Sequence, residues 1–147
     1  MSGEESLVVA GTAHAKVMAA VHAAAMPDGE AWGEAAIAAQ LALPGTFGLI
    51  DPQGGMVLAR VAADEAEILA LAVAPPSRRR GIGAALLVAA EARAAAAGAR
   101  TMYLEVAAPN QPARTLYDRA GYRLAGRRRA YYRDGSEALL LCKPLRA

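Results

Sequence analysis

The chain has 147 residues, 55% of them apolar and 20% charged, which is enough for one well-buried core and too little for two ordinary domains, so a single domain over 1–147 is expected. Its net charge of +2 and sequence pI near 8.9 are a mild basic excess that requires neither a nucleic acid nor an anionic membrane as partner. One cysteine, Cys142, excludes an internal disulfide framework and a multi-cysteine zinc site and fits a reducing, cytoplasmic compartment.

Two glutamates lie between Met1 and Glu5 where a secretory signal would carry positive charge, and no uninterrupted apolar run reaches membrane-spanning length. Export and membrane insertion are therefore not expected. The preference for Arg over Lys and an alanine content of roughly a quarter reflect composition rather than chemistry.

The run from Leu7 to Ala10 predicts a strand, and Gly11 and Thr12 supply an N-cap for a helix through Met26, broken by Pro27, Asp28 and Gly29. A second helix follows Trp32, from Gly33 to about Leu43, and is stopped by Pro44 and Gly45. Thr46 to Ile50 and Met56 to Ala63 read as a hairpin across Asp51 to Gly55. Glu67 to Val73 is almost continuously apolar, as expected of a central strand covered on both faces. From Gly81 to Ala97 the composition is that of a strong helix, closed by Gly98 in the C′ position. Arg100 to Val106 predicts a strand and Asn110 to Ala120 a helix ending at Gly121. Tyr122 to Tyr132 and Glu137 to Lys143 then pair through a turn at Asp134 and Gly135. The order β, α, α, β, β, β, α, β, α, β, β sets an antiparallel meander before a β-α-β crossover, so the sheet is expected to be mixed, with helices on its faces.

The segment Val73-Ala74-Pro75-Pro76-Ser77-Arg78-Arg79-Arg80-Gly81-Ile82-Gly83-Ala84 joins a buried strand to a long helix. The first N–H groups of a helix lack internal partners and lie at the positive end of its dipole, and Gly81 and Gly83 remove side chains that would hold a diphosphate off. A Rossmann loop is disfavoured because Leu86 stands at the third glycine position, and a P-loop because no Gly-Lys-Ser/Thr closes the segment. Glycine spacing alone leaves an ordinary strand-to-helix turn with a solvated Arg cluster equally open.

Arg78-Arg79-Arg80-Gly81-Ile82-Gly83-Ala84 resembles the Q/R-x-x-G-x-G/A motif of the GNAT superfamily of acetyl-coenzyme A dependent N-acetyltransferases, and the element order is similar too. Within that superfamily the chain looks most like the RimI-type ribosomal-protein-alanine N-acetyltransferases. The likeness rests on Glu67 to Pro75, Leu104-Glu105-Val106, Asn110 to Tyr117, Gly121-Tyr122, and Tyr131-Tyr132 with Asp134-Gly135 and Glu137-Ala138. The resemblance implies the GNAT fold, an α/β (α+β) architecture with a mixed, mostly antiparallel sheet of about seven strands, about four flanking helices and a V-shaped splay between the fourth and fifth strands. It also implies acetyl-CoA as cosubstrate, no metal, and a protein N-terminus as acceptor, that of a ribosomal protein. Leu71, Ala72 and Val73 would hold the pantetheine arm through their backbone, as an added strand would. Arg79, Arg80, Gly81, Ile82, Gly83 and Ala84 would hold the diphosphate, and Asn110 would contact the cofactor near the thioester or else simply cap its helix.

Acyl transfer from a thioester to an amine needs a neutral amine, a stabilised oxyanion and a proton for the leaving thiolate. Glu105 interrupts an otherwise apolar strand, and its carboxylate is either solvent-facing or in a cleft. By the resemblance it is the general base, and Tyr117 the acid; the alternative for Tyr117 is a core aromatic beside Leu116, packing under Gly121. An α-amino group titrates near 7.7–8.0 and a lysine side chain near 10.4, so one glutamate acting through water suits a protein N-terminus better. Tyr131 and Tyr132 would wall an acceptor groove opposite Pro27 to Trp32, or serve as ordinary strand aromatics. Ala130 stands where the family usually has Asn, which leaves a lysine side chain or a small amine open as an alternative acceptor. His14 and His22 have no partners at ligand spacing, and in a strand the run Arg127 to Arg129 splits between faces instead of forming a nucleic-acid stripe.

Overall fold

The computed structural model describes residues 6–26, 31–129, 131 and 135–146. Its strands are β1 (Val8–Ala10), β2 (Thr46–Asp51), β3 (Gly55–Ala62), β4 (Glu65–Val73), β5 (Thr101–Ala107), β6 (Arg123–Arg128) and β7 (Ala138–Pro144). The helices are α1 (Ala15–Ala25), α2 (Glu34–Leu41), α3 (Ile82–Ala96) and α4 (Gln111–Arg119). All seven strands join one sheet in the order β1-β2-β3-β4-β5-β7-β6. Only β4 and β5 run parallel, as α3 crossing between them requires; every other pairing is antiparallel. This is the expected GNAT architecture.

Each face of the sheet has its own core. On one, Leu86, Leu87, Ala90 and Ala94 of α3 pack on Val57, Ala59, Ala66, Ile68, Met102, Leu104, Leu139 and Leu141. On the other, Met18 of α1 and Ile37 of α2 cover Ile50, Met56, Leu58, Ala70 and Ala72. β4 thus contributes Ala66 and Ile68 to the first core and Ala70 and Ala72 to the second, although alternate residues of an unbroken strand share a face. The cause is a bulge: Ala59 pairs with Ile68 and Leu58 with Ala70, so Leu69 is an extra residue that turns the strand over.

That bulge opens the sheet. The β4–β5 register runs from Glu65↔Thr101 to Ile68↔Leu104 and ends there. Beyond it, β4 continues to Val73 on β3 while β5 continues to Ala107 on β7, and the two strands part. The almost continuous apolar run of β4 reflects both its central place and this change of face.

Several boundaries differ from the sequence reading. Thr12 is not an N-cap: a single 3-10 turn, Thr12–His14, precedes α1, and the Gly11 N–H donates to His14 Nδ1 at 2.9 Å. The helix proper therefore starts at Ala15, and α2 is shorter than expected, with Gly33 as its N-cap. Gly98 does close α3: its N–H donates to Ala95 O and that of Ala99 to Ala94 O, with Gly98 at φ +101°. β6 ends at Arg128, and the strand expected to reach Tyr132 runs into Ala130 and Tyr132, outside the described residues, as does Asp134 of the expected turn.

Candidate active site at the splay

The helix entrance is built on the β2–β3 hairpin. Ala74 N–H donates to Gly54 O at 2.7 Å, and the Ser77 hydroxyl donates to Gln53 O. A Cβ on Gly55 would lie 2.5 Å from Ile82 Cγ2 and 2.9 Å from Leu86 Cδ1, so the first turns of α3 rest directly on glycine backbone. Sequence reading took Gly54-Gly55 only as a turn; its second role, seating α3, has no local signal.

Between Ser77 and α3, Arg79 and Gly81 both adopt left-handed backbone, at φ +67° and +76°. Such residues turn neighbouring N–H groups into a concave, anion-accepting surface. Ile82, Gly83 and Ala84 open α3, and Ala85 is the first whose N–H closes a helical bond, to Gly81 O at 3.0 Å. The preceding amides are left to a ligand at the positive end of a 15-residue helix. Arg79 and Arg80 are exposed beside them. A Cβ at Gly83 would meet Leu116 Cδ2 at 3.4 Å and Val73 Cγ2 at 3.7 Å, ordinary van der Waals contact, so packing alone does not require glycine there. This donor set fits a diphosphate.

Leu71, Ala72 and Val73 lie on the part of β4 that has left β5. Arg78, the first residue of the motif, spans this end of the groove: Nε donates to Val73 O at 3.1 Å and Nη2 to Ala25 O, at the end of α1, at 3.4 Å. Its clamp is invisible in sequence because Ala25 is 53 residues away.

Met102, Leu104 and Val106 of β5 point into the α3-side core, so Tyr103 and Glu105 face the opposite side. Glu105 is the first β5 residue past the last β4 pair, at the mouth of the splay. Its side chain is partly enclosed, 22% exposed, and Oε1 lies 3.4 Å from an Arg128 guanidinium nitrogen. Arg128 also lies over the Tyr131 ring, 5.2 Å from its centroid. Arg127 instead pairs with Glu137 at 2.7 Å, so the basic run divides between faces as expected. Glu67 of β4 shares the face of Glu105. Burial and the Glu105 charge hold its carboxyl above the usual range, against the opposing pull of Arg60 and Arg128.

Asn110 caps α4, its Oδ1 accepting from Ala113 N–H at 3.2 Å. Tyr117 is buried in the α3-side core and meets the Tyr122 ring edge-on, centroids 5.8 Å apart. The Tyr122 hydroxyl donates to Glu91 Oε2 at 2.8 Å, and Glu91 also holds Lys143 at 2.8 Å. Burial and the Glu91 charge push the Tyr122 phenol far up. His22 is buried and its Nδ1 accepts the Trp32 N–H at 2.8 Å, tying α1 to the start of the α2 segment. Pro27 to Glu30, Ala130 and Tyr132, part of the acceptor groove expected from sequence, lie outside the described residues.

The acetyltransferase (GNAT) family profile matches residues 18–122. An N-alpha-acetyltransferase of Sulfurisphaera tokodaii is 40% identical over 79 residues, 53% of this chain and 47% of that protein. The [ribosomal protein bS18]-alanine N-acetyltransferase of Escherichia coli K12 is 37% identical over 91 residues, 60% of this chain and 62% of that protein. The matched segments thus span from about half to just under two thirds of these relatives. A crystal structure of the Escherichia coli ribosomal-protein-S18-alanine N-acetyltransferase superposes with a TM-score of 0.82 at 27% identity, covering 96% of this chain and 95% of that one. Arabidopsis thaliana NAA60, solved in complex with acetyl-CoA, shares the fold with a TM-score of 0.77 at 18% identity, over 94% of this chain and 98% of that one. By fold, motif and profile together, the chain belongs to the acetyltransferase (GNAT) family.

Proposed function

We propose that this protein, working in the cytoplasm, transfers acetyl from acetyl-CoA to the N-terminal α-amino group of a protein, the acceptor being the N-terminal alanine of a small-subunit ribosomal protein. The observation that carries this reading is the position of Glu105, a partly enclosed carboxylate at the point where β4 and β5 separate, in a chain 37% identical to the bS18-alanine enzyme over 91 residues. Acetyl-CoA supplies the activated acyl thioester.

Arg79, Arg80 and the amides of Gly81, Ile82, Gly83 and Ala84 bind the diphosphate. The backbone of Leu71, Ala72 and Val73 aligns the pantetheine arm in the gap left by β5, and Asn110 stands near the thioester while capping α4. A backbone N–H at the end of β4 donates to the thioester carbonyl oxygen as charge builds there. Glu105 takes a proton from the acceptor nitrogen, directly or through a water, and the Tyr117 phenol protonates the departing sulfur.

Thiol release with a peptide copying the N-terminus of ribosomal protein bS18 tests the assignment. Glu105→Gln and Tyr117→Phe are each expected to lower kcat by about 100-fold or more while acetyl-CoA still binds. Undiminished turnover in both variants removes the proposed roles. A panel including lysine-containing peptides and small amines tests the acceptor, the alternative raised by Ala130.

A further inference from the structure

A phenol passes its proton to a leaving sulfur only within hydrogen-bond reach, and a misplacement of about 1 Å can cost about 100-fold in rate. In the acetyl-transfer reading the cofactor lies on β4 and the entrance of α3, whereas the acid rides on another element, α4. Tyr117 is the only buried residue of that nine-residue helix. Its placement against α3 therefore needs a second hold.

Tyr122 provides one. Gly121 N–H donates to Asp118 O at 3.1 Å and Tyr122 N–H to Tyr117 O at 3.0 Å, with Gly121 at φ +96°. This paired closure of α4 folds the chain back so that the two tyrosines meet. Both are buried, and their rings pack edge-on, with planes 65° apart. The far end of Tyr122 is fixed on α3, where its hydroxyl donates to Glu91 Oε2 at 2.8 Å. Glu91 Oε1 takes the Lys143 ammonium at 2.8 Å, and that ammonium also stands 5.8 Å from the Tyr122 ring centroid. The Glu91 side chain is only 12% exposed, so the pair is held in place rather than loose on the surface. Lys143 in turn lies on β7 opposite Met102 of β5. One ring thus links the helix of the acid to α3 and, through Glu91, to the strand beside β5. Burial and the Glu91 charge keep the Tyr122 phenol protonated, so it serves as a donor to Glu91 and not as a proton source.

We propose that Tyr122 is a positioning residue for acetyl transfer: anchored on Glu91, it holds the Tyr117 phenol in register with α3, so that the acid meets the sulfur of the bound thioester. The assignment rests on the acetyl-transfer reading with Tyr117 as the acid. Tyr122 acts through Tyr117 alone, and Lys143 acts by steadying Glu91.

The test is a double-variant cycle in kcat, run on whichever amine wild type acetylates fastest, with Tyr122→Phe, Tyr117→Phe and the two combined. Calorimetric acetyl-CoA affinity and urea midpoints accompany it. Phenylalanine keeps the ring packing, and a groove lined by Glu91, Gly121, Arg123 and Lys143 lets water replace the lost hydroxyl on Glu91, so the fold stands. Tyr122→Phe is expected to lower kcat by about 10-fold with acceptor KM and acetyl-CoA affinity within about 2-fold of wild type. In the Tyr117→Phe background it should cost nothing further, because no acid hydroxyl is left to place. Glu91→Ala should match Tyr122→Phe, and Glu91→Gln, which keeps an acceptor for the phenol, should fall between Glu91→Ala and wild type. An equal loss in both backgrounds, a loss in acetyl-CoA affinity instead of kcat, or full activity in Tyr122→Phe or Glu91→Ala overturns the proposal. Full activity in Tyr117→Phe overturns the acid assignment and this role with it; in the other failures Tyr117→Phe stays impaired, which tells the two apart.

Discussion

Gly81 is the sharpest place to perturb the loop proposed to hold acetyl-CoA without disturbing the fold. It adopts φ +76°, yet a Cβ built on it meets nothing within 4 Å. Alanine there introduces backbone strain alone, about 1–2 kcal/mol for a left-handed L-residue. If the loop relieves that strain by leaving its anion-accepting shape, the binding-competent fraction falls by about 5- to 30-fold and acetyl-CoA affinity falls with it. If the loop cannot relax, the same free energy appears as lost stability. Gly98→Ala is the matched control: φ is +101°, a Cβ again meets nothing within 4 Å, and the residue lies at the far end of α3. Calorimetric titration with acetyl-CoA and urea denaturation on both variants separate the cases. Gly81→Ala should weaken binding and leave kcat at saturation within a few-fold, whereas Gly98→Ala should lower stability only. Equal acetyl-CoA affinity in the two variants, with no loss of stability in Gly81→Ala to take up the strain, would refute the assignment of the loop.

Two further outcomes concern the scaffold. Gly55→Ala drives a Cβ to 2.5 Å from Ile82 Cγ2, and overpacking of about 1–3 kcal/mol should lower Tm by about 2–12 °C and weaken acetyl-CoA binding through the displaced first turn of α3; Gly33→Ala, which meets nothing within 4 Å and replaces only the N-cap of α2, should leave acetyl-CoA binding unchanged. Burial lowers the His22 pKa, so the unfolded chain binds a proton that the folded chain resists. Stability is therefore greatest above about pH 6.5 and falls below it, by up to about 1.4 kcal/mol per pH unit until the folded-state pKa is reached. Urea midpoints between pH 7.5 and 5.5 should drop more steeply in wild type than in His22→Gln, and parallel lines would dismiss the linkage.

The order of elements was legible because Gly and Pro punctuate it: Pro44-Gly45, Gly54-Gly55, Pro75-Pro76, Gly98 and Gly121 each fall at a boundary, and the strand and helix runs between them are long enough to type. The Leu69 bulge was not legible. Inside Ile68 to Val73 every residue is apolar, so a change of face leaves no break in the alternation. The start of α1 was misplaced because Thr12 has the chemistry of a cap, whereas the imidazole of His14 takes up the free N–H of Gly11. The glycine-rich entrance to α3 showed in its spacing, and Glu105 as a charge in an apolar strand. Their neighbours did not show. Arg128 reaches Glu105 across β7, Arg78 reaches α1, and Glu67 joins Glu105 through a parallel pairing closed by a crossover, all of which depend on register between distant segments. For Asn110 and Tyr117 the structural alternatives, helix cap and core aromatic, are both present in the molecule, and neither conflicts with a ligand-facing part.

The extra residue in β4 also limits how the protein can be redesigned. Because its two half-strands belong to different helical layers, side-chain volume added at Ala70 or Ala72 to reshape the α1 and α2 side bears on a backbone that Ala66 and Ile68 anchor to the α3 side. Directed evolution of acceptor preference through those positions should therefore carry a correlated drift in coenzyme affinity. Libraries that vary both layers together are better suited to this scaffold than libraries that treat them as separate modules.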